Sequence, residues 1–288
     1  MRSYAAMGIT YEGATMSLDL LDRPNKYSNG FCHWPVPAWI KPDGTWVPSQ
    51  TNFTSLADPA AVGSGHTALT TLMHEAGHAA HFANVKQPSP LFSQERSPTS
   101  VAYAENQSMF LDSLVGDSVW RAKYARDLQN NPIPFEILEE DIRATHPFAV
   151  FNLRAMLVVS YFEKALYELP DEEVTSENIQ RLADNIEEKI QCGPSPRPLL
   201  SVPHLVSDEA SCYYQGYTVS SSLDHVLYLF LNSSFAYYLQ FVYINIMNKH
   251  TNKLFINIIK YYFGIFTVGR NERPSNKRVF QGKIWVYC

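Results

Sequence analysis

A histidine, glutamate and histidine in the segment HEAGH, from His74 to His78, have the residue types and the spacing of a catalytic metal site. Residues four apart on an α-helix lie on one face, about 6 Å apart between Cβ atoms, so His74 and His78 can bind one ion. Glu75 projects about 100° round the same helix, where it can accept a proton from the attacking water instead of binding the metal. The pattern therefore predicts a zinc hydrolase with Glu75 as the general base.

This pattern works only on a helix, and the surrounding sequence predicts one from Thr67 to Val85. Apolar residues recur there at spacings of three and four: Leu69, Leu72, Met73, Ala76, Ala80 and Ala83. Polar side chains in so apolar a helix are costly unless something pairs with them, and a metal ion is such a partner. The HExxH pattern alone has a false-positive risk, and this helical context is what favours the metal-site interpretation.

A catalytic zinc ion takes three protein ligands and keeps one position open. His81 is not predicted as the third ligand, because it lies about 10.5 Å along the helix axis from His74, and we expect it in the core or around the ligands. The metzincin pattern requires Gly at position 81 and His at position 84, whereas this chain has His81 and Asn84, so that class is excluded.

A carboxylate from a following helix is the remaining kind of third ligand. The segment from Val101 to Leu114 has helical apolar periodicity, and Glu105 is its one carboxylate near the start. We predict Glu105 as the third ligand, with Glu95 and Asp112 as the alternatives to test.

Three further segments accompany LMHEAGHAAHF in the chain. They are TNFT at Thr51 to Thr54, AYAENQS around Glu105, and PHLVSDEASCYYQGY, which ends at Tyr217. Read in this order, the four segments resemble the thimet oligopeptidase and oligoendopeptidase family of zinc metallopeptidases over about residues 1 to 217. The resemblance implies one zinc ion per chain, held by His74, His78 and Glu105.

The resemblance also implies roles for residues near the end of the matched region. His204, Tyr214 and Tyr217 fall where the family keeps groups that contact the substrate and the transition-state oxyanion, and Tyr217 is the favoured oxyanion donor. A phenol O–H is a neutral donor at pH 7, which suits charge that develops only in the tetrahedral intermediate. Glu209 stands where another tyrosine is expected, so this segment departs from the family pattern.

Two functions follow from these residues. The first is a zinc-dependent metalloendopeptidase that hydrolyses internal bonds of short peptides. The alternative is an inactive, truncated remnant that keeps the zinc site as a structural or binding module, because the family is much longer than this chain.

The fold predicted from periodicity and breakers is mainly α, with a zincin-like helical catalytic core and a small N-terminal β region. Strands are predicted at Gly30 to Trp34 and at Gly44 to Val47. Beyond the two motif helices, helices are predicted at Asp117 to Leu128, Phe135 to Ala144, Phe148 to Tyr167, and from a Thr175 cap to Ile190.

Charge divides the chain at Tyr217. Residues 218 to 288 contain eight Lys and Arg against two acids, or +6, whereas residues 1 to 217 carry 15 minus 26, or −11. We therefore predict a catalytic domain at 1–217 and an atypical hydrophobic and basic tail at 218–288, outside the family domain. A membrane anchor at Val226 to Met247 is disfavoured, because Asn232, Ser233, Ser234, Gln240 and Asn245 interrupt it.

Composition places the rest of the prediction. A net charge of −5 gives no electrostatic reason to expect a nucleic-acid partner. Four scattered cysteines without CxxC pairing and an N-terminus without an apolar signal segment predict a cytoplasmic protein with reduced thiols.

Overall fold

The part of the chain that the computed structural model describes comprises residues 2–11, 13–27, 29–92, 100–194, 199–207 and 210–231, with only the backbone at 222 and 224–231. Its helices are α1 (Arg2–Ala6), α2 (Ser64–Asn84), α3 (Val101–Asp112), α4 (Ser118–Tyr124), α5 (Phe135–Thr145), α6 (Ala149–Tyr167), α7 (Ser176–Gln191) and α8 (Tyr214–Leu231). Its strands are β1 (Thr15–Leu21), β2 (Cys32–Val36), β3 (Trp39–Ile40), β4 (Trp46–Val47) and β5 (Gln50–Ala57). The predicted fold class, mainly helical with a small N-terminal β region, is confirmed.

The β region consists of a three-stranded sheet and a separate two-stranded hairpin. Strand β5 is central in the sheet, parallel to β1 with Thr15 opposite Gln50, and antiparallel to β2 with Cys32 opposite Phe53. Strands β3 and β4 pair through a turn in which Gly44 has a φ of 84°, a conformation that glycine adopts without strain. Strand β5, held between β1 and β2, is the last element before the helix that carries the HEAGH segment.

The predicted strand boundaries need correction. Strand β2 begins at Cys32, two residues after the predicted start, and β4 is only the pair Trp46–Val47. Strand β1 is not among the strands predicted above, although Met16, Leu18 and Leu20 alternate there with polar residues, the pattern of a half-buried strand.

Most predicted helices agree closely with the structure. Helix α7 begins after Thr175 as predicted, and the Thr175 side chain accepts a hydrogen bond from the backbone N–H of Asn178. Helix α4 ends at Tyr124, four residues before the prediction. The Asp127 carboxylate accepts hydrogen bonds from the backbone N–H groups of Gln129 and Asn131, and this turn replaces the end of the predicted helix.

Two apolar clusters fix the helices that matter for function. The first joins the sheet to α1, α2, α3 and the turn after α3, through Tyr4, Phe53, Met73, Ala76, Ala79, Phe110, Leu111 and Val115. The second joins α6 and α7 to the segment before α8, through Val158, Val159, Phe162, Ala183, Leu199 and Val202. The HEAGH helix is therefore packed on two sides, and the His204 segment rests on α6 and α7.

Helix α8 crosses the domain boundary predicted at residue 217. Ser220 is buried, and its hydroxyl oxygen lies 2.6 Å from the Ala102 carbonyl oxygen of α3. Ser220, beyond the predicted boundary, therefore packs against α3. The described residues all belong to the unit Met1–Asn248, whereas the second unit, Lys249–Cys288, lies outside them.

The anchor considered at 226–247 lies mostly outside the described residues, since they end at 231. Within the described residues, no helix combines the length and the apolar character needed to span a membrane.

Candidate metal centre

Helix α2 carries the HEAGH segment in its buried C-terminal half. From Met73 to Ala83 nearly every residue of the helix is buried, and Glu75 and His78 are each only 5% exposed. The imidazole rings of His74 and His78 lie edge to face with their centroids 4.8 Å apart, so both rings project from one face of the helix. The helical placement predicted from the sequence is confirmed.

Gly77, inside the HEAGH segment, lets α3 approach α2 closely. A Cβ atom at Gly77 would lie 2.8 Å from Cα of Ser108 and 3.3 Å from the backbone oxygen of Gln107. Real Cβ atoms do not approach other heavy atoms to 2.8 Å, so any larger residue would push the two helices apart. This close approach brings Glu105, one turn earlier on α3, beside the two histidines.

The two histidines and Glu105 converge on one point. Oε2 of Glu105 lies 3.2 Å from Nε2 of His74 and 3.4 Å from Nε2 of His78, and one potential ligand atom from each residue lies within 4.8 Å of the others. Two imidazoles and one carboxylate with an open side are the donor set of catalytic zinc sites. The three residues therefore fit a zinc ion.

The charges around these three residues are strongly coupled. Burial disfavours the charged form of His74, but hydrogen bonds to Asp112 and Glu105 raise its pKa well above the usual range. Burial likewise disfavours the Glu105 carboxylate, but the adjacent His78 and His74 hold its pKa well below the usual range. Glu105 is therefore held as an anion, the form that binds a metal.

Asp112 lies on the far side of His74 from Glu105. Its Oδ2 is 2.8 Å from Nδ1 of His74, so the carboxylate fixes the orientation of the imidazole and leaves Nε2 for the ion. Asp112 follows Glu105 by seven residues, two turns along α3, which aligns both carboxylates with α2. The sequence suggested Asp112 only as an alternative ligand, and the structure gives it this orienting contact instead.

We expect Asp112→Asn to weaken zinc affinity by about 10- to 100-fold, the usual cost of removing the partner that orients a metal-binding histidine. Competition with a chromophoric chelator measures this affinity. Asp184→Asn, at an exposed position of α7, is the matched control and should behave as the parent chain. An unchanged affinity in Asp112→Asn would show that His74 does not depend on this contact.

Among the described residues, the group of converging ligands is His74, His78 and Glu105, without Glu75. This agrees with the assignment of Glu75 to proton transfer. Burial raises the pKa of its carboxyl group, partly offset by the neighbouring histidines. The connection before β2 covers this carboxyl group, since a Cβ atom at Gly30 would lie 3.5 Å from its Oε1. A glutamate with a raised pKa in such a setting suits a general base near neutral pH.

The three residues assigned through the His204 segment come together in one aromatic cluster. The Tyr217 hydroxyl lies 3.3 Å from Nε2 of His204, and the ring centroids of His204 and Tyr214 are 5.0 Å apart. Burial, followed by the negative charge of Glu105, raises the pKa of Tyr217 well above its usual value. Tyr217 is therefore a neutral phenol at physiological pH, able to donate a hydrogen bond.

Tyr213 makes a contact that sequence reasoning missed. Its hydroxyl donates a hydrogen bond of 2.6 Å to Oε1 of Glu105, while Oε2 of the same carboxylate faces the histidines. The contact joins residues 108 positions apart, and Tyr213 stands between Cys212 and Tyr214 without any local feature that singles it out. Glu95 and Glu209, also considered from the sequence, lie outside the described residues.

His81 lies in the core, one of the two positions expected for it. Its ring packs against Phe82 and, edge to face, against Tyr103. Burial, and to a lesser extent the charge of His78, lowers the pKa of His81 to about 3.

The buried His81 makes folding sensitive to acid. The unfolded chain takes up this proton near pH 6.5 and the folded chain only near pH 3, so stability is lost as the pH falls below about 6.5. Between pH 7 and pH 5 the parent should lose about 2 kcal/mol more unfolding free energy than His81→Leu. Urea unfolding at both pH values measures this difference, and parallel losses would show that His81 is not buried as a neutral ring.

Three comparisons relate the chain to known proteins. The model of peptidase family M3 matches residues 12–235, more than half of the chain and 18 residues beyond the predicted domain end. No curated protein sequence matches significantly. A solved structure titled "BsuCP Crystal Structure" is similar at 17% identity and a TM-score of 0.47, covering 76% of this chain, whereas this chain spans only 42% of that one. The family match confirms the resemblance found in the sequence: the chain belongs to peptidase family M3, a family of zinc metallopeptidases.

Proposed function

We propose that the chain is a zinc-dependent metalloendopeptidase that hydrolyses internal bonds of short peptides. The observation that carries this proposal is the convergence of His74, His78 and Glu105 beside the buried Glu75. When bound by these ligands, zinc supplies Lewis-acid chemistry that polarises a carbonyl group and makes water more acidic. The preference for short peptides comes from the family resemblance.

The remaining steps belong to side chains of this protein. Glu75 accepts the proton of the attacking water and passes it to the leaving amine, for which its raised pKa is suited. Tyr217, a neutral donor, stabilises the oxyanion together with His204, and Tyr214, whose ring contacts that of Tyr217, contributes to substrate contact. A preorganised donor of this kind is typically worth about 3 kcal/mol in the transition state.

The alternative function is a zinc-binding module without turnover. It keeps the same three ligands. The two functions differ in whether zinc-loaded protein turns over a peptide.

We retain the cytoplasmic location as a proposal from the sequence.

A peptide of about ten residues, acetylated at its N-terminus and amidated at its C-terminus, tests the endopeptidase proposal. We expect the zinc-loaded chain to cut this peptide at internal bonds, because the proposed mechanism needs neither a free amino nor a free carboxyl terminus. Mass spectrometry identifies the products. The control is Glu188→Gln, at an exposed position of α7, which should cut the peptide as the parent does. Cleavage that requires a free terminus would indicate an exopeptidase and contradict the proposal.

A further inference from the structure

Glu163 on α6 is a buried carboxylate that the mechanism does not use. It is only 4% exposed, and its Oε1 accepts hydrogen bonds from the backbone N–H of Cys212 at 2.7 Å and from the Tyr167 hydroxyl at 3.1 Å. Both donors are neutral, and the neighbouring Lys164 pairs with Glu168 instead. Burying a carboxylate is costly, so a position that keeps one needs a reason beyond packing.

The contact with Cys212 fixes the turn that begins α8. Cys212 has a φ of 53°, in the left-handed region that non-glycine residues seldom adopt. The Glu163 oxygen that accepts this N–H lies 2.7 Å from the Cys212 nitrogen, so Glu163 can hold the backbone in this conformation. The direction in which the chain enters α8 is therefore set by a side chain on α6.

Tyr213 follows this turn directly and reaches the metal ligand. Its hydroxyl donates to Oε1 of Glu105 at 2.6 Å, and its side chain is buried. A rotation of the backbone at Cys212 would move the Tyr213 ring and break this bond. A continuous path of contacts thus runs from Glu163 through the backbone at Cys212 and the Tyr213 ring to the Glu105 carboxylate.

We propose that Glu163 is a positioning residue for the metal centre, acting through Cys212 and Tyr213 to orient Glu105. The expected effect on zinc affinity rests on the proposed zinc site. The coupling between Glu163 and Tyr213 does not, because their contacts are present in the metal-free chain. Loss of Glu163 should therefore weaken zinc affinity, even though its side chain lies on a different helix from all three ligands.

The test is a double-mutant cycle in the full chain, built from Glu163→Ala, Tyr213→Phe and the combined variant. Zinc affinity is measured by chelator competition, and the unfolding midpoint of the metal-free chain is measured in urea. We expect Glu163→Ala to weaken zinc binding about 2- to 30-fold, the usual range for a residue that acts on a site through its neighbours. In the Glu163→Ala background, Tyr213→Phe should have little further effect on either quantity.

Two further variants test whether the acceptor oxygen of Glu163 matters. Glu163→Gln keeps a side-chain oxygen that can accept from Cys212 N–H, so it should restore most of the affinity. Glu168→Ala, an exposed glutamate near the same helix end, should leave the affinity as in the parent. Because Gln also restores packing, the metal-free unfolding midpoint of each variant separates positioning from a nonspecific loss of folding.

Additive effects of the two substitutions, in zinc affinity and in metal-free stability, would overturn the inference. So would a parent-like zinc affinity in Glu163→Ala. If the parent chain itself binds no zinc, the proposed function fails, but the metal-free cycle still decides whether Glu163 and Tyr213 are coupled. Should Glu163→Ala not fold, Glu163→Leu, which fills similar space but has no acceptor for the Cys212 N–H, takes its place in the cycle, and the same nonadditivity with Tyr213→Phe is expected.

Discussion

Glu75→Gln should keep its zinc and lose turnover by about 10²- to 10⁴-fold, the contribution of a positioned general base. Glutamine preserves the size and the buried position of the side chain, but it cannot accept the proton of the attacking water. Because Glu75 is outside the group of converging ligands in the described chain, the zinc content should stay at one ion per chain. The measurements are kcat on a quenched-fluorescent peptide and zinc content by elemental analysis.

The control for this substitution is Glu140→Gln, which makes the same chemical change at an exposed position of α5. It should retain parent activity and metal content. If kcat of Glu75→Gln stays above about a tenth of the parent value, Glu75 is not the general base. A loss of zinc from Glu75→Gln would instead indicate that Glu75 supports the ligands.

Glu105→Ala should lose zinc affinity by more than about 100-fold. The expectation follows because loss of a residue that merely orients a ligand already costs about 10- to 100-fold, and Glu105 is assigned to the ion itself. Removing it also leaves His74 and His78 without the carboxylate that both now face. Chelator competition measures the affinity of the variant against that of the parent.

Glu140→Ala provides the exposed control for this second substitution. If Glu105→Ala holds zinc as tightly as the parent, the third ligand lies elsewhere, and Asp112 or Glu95 must be tested in its place. The unfolding midpoint of the metal-free variant separates a lost ligand from a folding defect. A lost ligand weakens zinc binding without lowering this midpoint, whereas a folding defect lowers it even without zinc.

The convergence of the three candidate ligands was predictable because their spacing is local or nearly so. His74 and His78 share one helix face, and Glu105 is the one carboxylate near the start of the next helix. The order of the elements was also readable from periodicity, with α2, α3, α5, α6 and α7 close to their predicted bounds. Helical periodicity specifies which residues share a face, and this was enough to predict that His74, His78 and Glu105 come together.

The contacts that orient the ligands could not be predicted, because they depend on packing between distant segments. Asp112 meets His74 only because Gly77 lets α2 and α3 approach, and Tyr213 meets Glu105 across 108 positions. Side-chain periodicity carries no information on such distances. The domain boundary at 217 was placed by charge, which is a surface property, and it stays a prediction; α8 continues past that position with Ser220 packed on α3.

The most direct test is a zinc titration of peptide hydrolysis by the metal-stripped chain. Turnover of a quenched-fluorescent peptide is followed as zinc is added, while a parallel sample reports how much of the zinc is bound. We expect hydrolysis to rise with bound zinc and to reach a plateau at about one equivalent, because His74, His78 and Glu105 form one three-ligand site. A chain that binds one equivalent without any turnover would contradict the peptidase function and support the zinc-binding module instead.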